Sequence, residues 1–301
     1  MSAPVARNMS DHAVPLGSSR IPVSVVIITK NEEANIRTCL AELDRFAEVF
    51  VVDSNSSDAT PAIAASMGAR VVPFTWNGRY PKKKQWSLEN LPFGHDWVLW
   101  VDADEQLSPE VVAEIATIMQ EGPKATGYFL RLDNSFLGKR LRHGIENFKL
   151  VMFDRRKSRW PDYDDLDLPT KMEIELHFQP IVEGPIAALR NRALHADFKD
   201  LHHFLDRLNR YSDWEAVVRS KGYIATGESQ FASRALLKRI FHHMPGKPLA
   251  VFLYSYVYKL GFLDGRAGFA FAASRFWYYW QIGMKMRELR MKQATAARNL
   301  P

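Results

Sequence analysis

Residues 97–105 read WVLWVDADE. Five aromatic and aliphatic residues in a row suit a strand buried on both faces, and the aspartates at 102 and 104 mark where the chain leaves the sheet. Working back towards the N-terminus, the same pattern recurs twice. Residues 21–29, IPVSVVIIT, run into KNEE, and the apolar 49–52 end at Asp53, followed by SNSSDAT. Between them, 31–46 has helical spacing, with Ile36, Leu40 and Leu43 on one face. Residues 60–67 predict a second helix, started near Asp58 or Ala59 and stopped by Gly68. Residues 69–73 predict a third strand and 82–91 a third helix.

Strand and helix in alternation predict an α/β fold built on a mostly parallel, doubly wound sheet with flanking helices. Such sheets bind ligands outside the carboxyl ends of their strands. Three strand ends bring polar groups to that rim: Thr29, Asn31 and Glu32; Asp53, Ser54 and Ser56; Asp102, Asp104 and Glu105. Helix capping accounts for any one of these clusters, but poorly for three carboxylate-bearing strand ends together.

Outward in the other direction, 109–120 is helical, and 128–132 and 150–153 are strands. The charged segment 155–171 is a loop, and the alternating 172–182 is a strand that closes the site. Residues 201–219 are helical, with Phe204, Leu205 and Leu208 on one side. There is no internal repeat and no low-complexity tract.

The chain has 301 residues, 47% of them hydrophobic and 25% charged, which is globular composition. A single cysteine, Cys39, rules out an intramolecular disulfide and fits a reducing compartment; on a helix, it is expected to be a buried, inert thiol. Residues 1–20 are polar, lack an apolar core of the signal-peptide kind, and predict a disordered leader. The net charge of +6 is uneven: residues 219–301 hold 14 Lys and Arg against 3 Asp and Glu. A basic tail on an acidic body suits an anionic partner, and its aromatic clusters favour a membrane surface over nucleic acid.

That tail has two apolar stretches, 249–263 broken by Lys259 and 267–284 broken by Arg275. Trp277, Tyr278, Tyr279 and Trp280 lie together in the second. Neither is an uninterrupted span, and both suit helices lying in a membrane interface. The competing arrangement is a helical hairpin packed on the rest of the chain or in a homo-oligomer, with Asp264 and Arg266 paired internally.

Two carboxylates at i and i+2 on a strand end suit a hard cation, Mg²⁺ or Mn²⁺, which keeps positions open for phosphates. Asp102 and Asp104 are therefore the candidate metal ligands, with a diphosphate leaving group to neutralise. Asp53 suits hydrogen bonds from a nucleobase or ribose, with Thr29 and Glu32 beside it. Ser54 and Ser56 suit phosphate contact or capping, and Asp58 a helix N-cap. In the run 82–84, a solvated face is the ordinary meaning, but beside a diphosphate Lys84 suits pairing with it. His143, His177 and His195 have no zinc spacing and suit acceptor contact or polar packing.

The order TKNEE (29–33), VVDSNSSDAT (51–60), KKQW (83–86) and WVLWVDADE (97–105) resembles the inverting family 2 glycosyltransferases of GT-A fold. More narrowly, PLAVFL (248–253) and GFLDGRAG (261–268) resemble bacterial lipopolysaccharide-core enzymes near the β-1,4-glucosyltransferases. The resemblance implies that Thr29, Asn31, Glu32 and Asp53 hold the nucleoside and that Asp102 and Asp104 are the metal motif. Lys84 and Gln85 match a Lys-Asn pair near the nucleotide. An inverting transfer needs one carboxylate as base. Related chains carry His-Glu-His before Val-Val-Asp-Gly, and here the glutamate column falls on Phe178. A small shift brings in Glu175, with Glu173, Glu146 and the Asp162–Asp167 cluster as rivals; a solvent-facing strand position is the bland alternative for Glu175.

The resulting expectation is a metal-dependent hexosyltransferase using UDP-glucose or a similar UDP-hexose, with a lipid-linked or lipopolysaccharide-core saccharide as acceptor. It would sit peripherally on the cytoplasmic face of the inner membrane. Its parts would be a leader at 1–20, a GT-A catalytic domain at 21–218 and a membrane-associating helical region at 219–301. The alternatives are a nucleotidyltransferase, although no Gly-rich phosphate loop lies near Lys30, and a membrane-associated nucleotide-binding or assembly protein without transfer activity.

Overall fold

The computed structural model describes residues 20–162, 165–166, 172–175, 178–196, 200–221 and 246–298. The expected leader, apart from Arg20, lies outside the described residues, as do Asp164, Asp167, Leu176 and His177.

The first half follows the pattern of the sequence. β1 (Ile21–Thr29), α1 (Glu33–Leu40), β2 (Phe46–Asp53), α2 (Thr60–Ser66), β3 (Arg70–Pro73), α3 (Lys83–Asn90) and β4 (Trp97–Asp102) alternate. The four strands pair in parallel in the order β3-β2-β1-β4. Successive β1 residues serve opposite faces, as the two-residue period of a strand requires. Val25 and Ile27 pack with Ile36, Leu40 and Ala64 under α1 and α2, while Val26 packs with Phe50, Val98 and Trp100 on the α3 side. Helix α1 is shorter than its apolar spacing suggested. Asn31 takes a left-handed φ of 56°, which holds it out of the helix, and Phe46 has already joined β2.

The second half comprises β5 (Glu105–Gln106), α4 (Pro109–Glu121), β6 (Gly127–Phe136), β7 (Lys139–Arg140), β8 (Asn147–Asp154), β9 (Ser158–Arg159), β10 (Ile181–Val182) and β11 (Ile186–His195). Ser108 caps α4, accepting the Val111 N–H, and Val111, Val112 and Ile115 face the core. The sheet continues from β4 through β8, β6 and β11 to β5. Parallel pairing dominates only up to β4. β8 is antiparallel to β4 and to β6, and β5 to β11, so the full sheet is mixed. The strand expected over 172–182 is reduced to β10, which pairs with β9. Phe178 is turned edge-on into Trp214, and Gln179 takes the Leu150 N–H with its side chain (2.7 Å), so neither joins a ladder.

Among the described residues the C-terminal part has α5 (Leu201–Ser220), α6 (Lys247–Leu253), a wider helical turn at Tyr254–Tyr258, a 3₁₀ turn at Gly261–Asp264, and α7 (Gly265–Arg298). One face of α7 is packed: Ala267, Phe271, Tyr278 and Ile282 meet Phe204 and Leu208 of α5 and Phe136 of β6. Glu215 of α5 accepts the Tyr278 hydroxyl and a bond from Arg219. The other face leaves Phe269, Trp277, Trp280 and Met284 exposed. Asp264 does not pair with Arg266 among the described contacts; it accepts the backbone N–H groups of Arg142 (3.0 Å) and His143 (2.8 Å). The GFLDGRAG stretch thus clamps the tail to the loop between β7 and β8. Among the described residues no helix is long and apolar enough to cross a membrane.

Candidate active site at the strand carboxyl ends

The parallel register lines up the three rims. Thr29 lies opposite Asp53, and Ile28 opposite Asp102, so Thr29, Asp53 and Asp102 end adjacent strands at one edge. The rim is tied together before any ligand arrives. Asp53 accepts from the hydroxyls of Thr29 (2.9 Å) and Ser56 (2.5 Å) and from the Ser56 N–H (2.8 Å). Asn31 donates its N–H to the Ser56 hydroxyl (2.8 Å) and accepts the Ser57 N–H (2.9 Å). Glu32 donates its N–H to Thr60 (2.8 Å), and its carboxylate holds Asn35 (2.8 Å). Asp58 accepts the Thr60 N–H at the start of α2 (3.0 Å). Lys83 runs beneath this rim, bonding the Thr29 carbonyl (2.7 Å) and Ser54 (2.8 Å); burial lowers its pKa to about 8.

The second cluster centres on Asp102. Lys149 of β8 bonds the Asp102 carboxylate, and bonds Glu105 at 2.6 Å. Glu105 also accepts the Asp102 backbone N–H at 3.1 Å. Burial pushes the Asp102 carboxyl up, but the Lys149 and Lys84 ammonium groups outweigh it and hold the pKa below the usual carboxylate value. For Glu105, fully buried, burial wins and the pKa rises. Lys149 is held above its ordinary value by the two carboxylates despite burial. Asp104 stands apart, with His195 Nε2 at 3.6 Å from its carboxylate. Asn147 meets the other ring nitrogen of His195 at 3.1 Å, and Asn134 holds Asn147 (2.8 Å).

Lys84 lies on the inner side of α3, its ammonium 4.7 Å from the centre of the Trp160 ring. Burial lowers its pKa, while Asp102 draws it back up. Gln85 spends its amide inside the protein, accepting the Trp160 N–H (2.6 Å) and donating to Glu89 (2.7 Å). Glu175 meets a geometry other than that of an open base. It is 3% exposed, and its two oxygens accept the Lys84 and Gln85 N–H groups (2.9 and 3.0 Å), capping the first turn of α3. Burial raises its pKa against those bonds. Of the rivals, Glu146 is bonded to Arg192 (2.5 Å), Asp165 to Lys82 (2.6 Å), and Glu173 lies 4.0 Å from the Lys83 ammonium. Phe178, at the glutamate column, is a core residue against Trp214. Cys39 is a buried thiol with its pKa pushed up by burial.

The donor chemistry suits a hard divalent cation: two carboxylates at a rim, with a cationic group already accepted at Asp102. Among the described residues no group of three or more His, Cys, Asp and Glu is placed to hold a metal. Sequence reasoning missed Lys149 and the placement of His195. The available signal was a lysine at the head of an otherwise apolar strand, FKLVMF at 148–153.

The model of one family, described as "Glycosyl transferase family 2", matches residues 24–174, which contain all of these rims. The chain belongs to glycosyl transferase family 2. An "Uncharacterized glycosyltransferase" of Rickettsia bellii is 44% identical over 97 residues, covering 32% of either chain. The chain thus spans about a third of the length of the relatives it matches first. The "Lipopolysaccharide core biosynthesis glycosyltransferase LpsC" of Rhizobium meliloti is 32% identical over 114 residues, 36% of this chain and 41% of LpsC. A mannosyltransferase from Pyrobaculum calidifontis, solved in complex with GDP-Man and Mn²⁺, has a similar fold. Its TM-score is 0.50 over 89% of this chain and 88% of that one, at 16% identity.

Proposed function

We propose that this chain is an inverting hexosyltransferase that moves a hexose from UDP-glucose or a similar UDP-sugar to a saccharide carried on lipid or lipopolysaccharide core. The observation that carries this reading is the row of Thr29, Asp53 and Asp102 on three adjacent strand ends, with Asp104 just beyond. Membership in family 2 supports sugar transfer over nucleotidyl transfer. The name of LpsC supports the acceptor class.

In this reading Thr29, Asn31, Glu32 and Asp53 receive the nucleoside at a rim already ordered by its own hydrogen bonds, which lowers the cost of binding. Lys84 turns its charge toward the diphosphate, and Gln85 keeps Trp160 under it. Asp102 and Asp104 would hold Mg²⁺ or Mn²⁺, which when bound would neutralise the departing diphosphate. The tail would place the site at the cytoplasmic face of the inner membrane. Leu249, Leu253, Val257, Tyr258, Phe262 and Leu263 are each exposed, with the basic Lys259 and Arg266 in the same stretch of chain, and exposed apolar side chains in such number support an interaction surface there.

The test is a panel of labelled nucleotide-sugars with Mn²⁺ and a membrane extract. Label from a UDP-hexose should enter the lipid or lipopolysaccharide fraction. If UDP raises the melting temperature but no donor gives up its sugar, the chain is a nucleotide-binding protein without transfer activity. For Glu175 we assign a positioning role, through α3 and Lys84. Glu175→Gln should keep kcat within about tenfold of wild type, because one capping oxygen survives, and lose ~1 kcal/mol of stability. Loss of a general base costs about 10²–10⁴-fold, so a drop of that size would restore Glu175 to the base role.

A further inference from the structure

Asp102, one of the two candidate metal ligands, already faces a cation. The Lys149 ammonium bonds it from β8 and spans to the fully buried Glu105 (2.6 Å), which in turn takes the Asp102 N–H (3.1 Å). Two carboxylates and one ammonium make a closed unit of net charge −1. Asp104 adds a third carboxylate at the rim, with His195 Nε2 3.6 Å from it. A second ammonium, Lys84, lies close enough to act on Asp102 electrostatically. A free divalent ion approaching Asp102 therefore meets a ligand already shared with one lysine and overlooked by another. A diphosphate changes that balance, because its negative charge draws the two lysines and supplies the missing oxygen ligands.

We propose that Lys149 is a resident counter-cation which competes with a divalent metal for Asp102, so that this chain takes up metal together with a nucleoside diphosphate and only weakly without it. The inference rests on the reading of Asp102 and Asp104 as metal ligands. Lys149 offsets the charge of the fully buried Glu105 and of the partly exposed Asp102 before a ligand arrives, a buried charge being costly when unpaired. When the diphosphate arrives, Lys149 yields Asp102 and keeps Glu105.

The experiment is a Mn²⁺ titration of the full chain followed by the EPR signal of free Mn²⁺, with and without saturating UDP. Wild type should bind Mn²⁺ at least tenfold more tightly with UDP than without. Lys149→Met frees Asp102 and leaves two carboxylates without their counter-charge, so it should bind Mn²⁺ alone at least tenfold more tightly than wild type. Lys149→Arg should behave as wild type, and Lys149→Gln serves as the charge-removing variant if Lys149→Met does not fold. Equal Mn²⁺ affinity in wild type and the charge-removing variant would overturn the role of Lys149, as would wild-type binding that UDP leaves unchanged. Should neither protein bind Mn²⁺ under any condition, the metal reading of Asp102 and Asp104 itself falls.

Discussion

Asp102→Ala should lower turnover of the nucleotide-sugar donor about a thousandfold, the rate equivalent of ~4 kcal/mol of lost transition-state stabilisation. The reason is positional. Asp102 ends β4, the last strand of the parallel set, one step along the sheet edge from Thr29 and two from Asp53. It is also the carboxylate on which both nearby lysines act. Alanine removes a metal ligand and the counter-charge that orients Lys149. The fold should survive, because Lys149 keeps its bond to Glu105, and the backbone carbonyl of Asp102, which accepts from the Cys39 thiol, is unchanged. The check is steady-state kinetics beside a melting curve. A folded Asp102→Ala protein within tenfold of wild type would remove Asp102 from the mechanism.

The largest effect on stability is expected far from that rim. Gly268→Ala should cost at least ~3 kcal/mol, at the upper end of what overpacking usually does. A Cβ at 268 would sit 2.0 Å from the Gly261 carbonyl oxygen and 2.9 Å from the Asp264 Cβ. The first neighbour is backbone and cannot swing away, so α7 must lift off the 3₁₀ turn. That turn carries Asp264, which holds the Arg142 and His143 N–H groups, so the damage reaches the β7–β8 loop. Gly283→Ala on the same helix is the control. Its Cβ meets nothing within 4 Å, and replacing a helical glycine should gain up to about 1 kcal/mol. Urea unfolding of the two variants decides the matter: equal midpoints would mean that the tail does not cross itself at backbone contact.

The consequence for the tail is that it is part of the folded body on one side and open on the other. Its stretch 267–284 is apolar nearly all round apart from Arg275, which by itself leaves burial and membrane contact equally open. Packing against α5 separates the two faces: Phe271, Tyr278 and Ile282 are spent inside, while Trp277, Trp280 and the 249–263 group are left outside.

What the sequence by itself determined is the local, periodic part. The runs at 21–29, 49–52 and 97–101 each had to be strands buried on two faces, and each ends in polar residues. That was enough to place Thr29, Asp53 and Asp102 on one rim, and the longer motifs around them carried the resemblance to the family. The tertiary structure alone decided which charges meet. Lys149 reaches Asp102 because β8 lies antiparallel beside β4, a pairing across 47 positions that no local period encodes. Glu175 caps α3 from 91 positions away, a partnership that no local period encodes. Propensity and hydrophobic spacing act over a few residues. Ion pairs and caps between distant segments depend on strand order and loop path, and these exist only once the sheet has assembled. The rim of Asp102 and Asp104 was legible in the sequence for the first reason, and its resident lysine was not for the second.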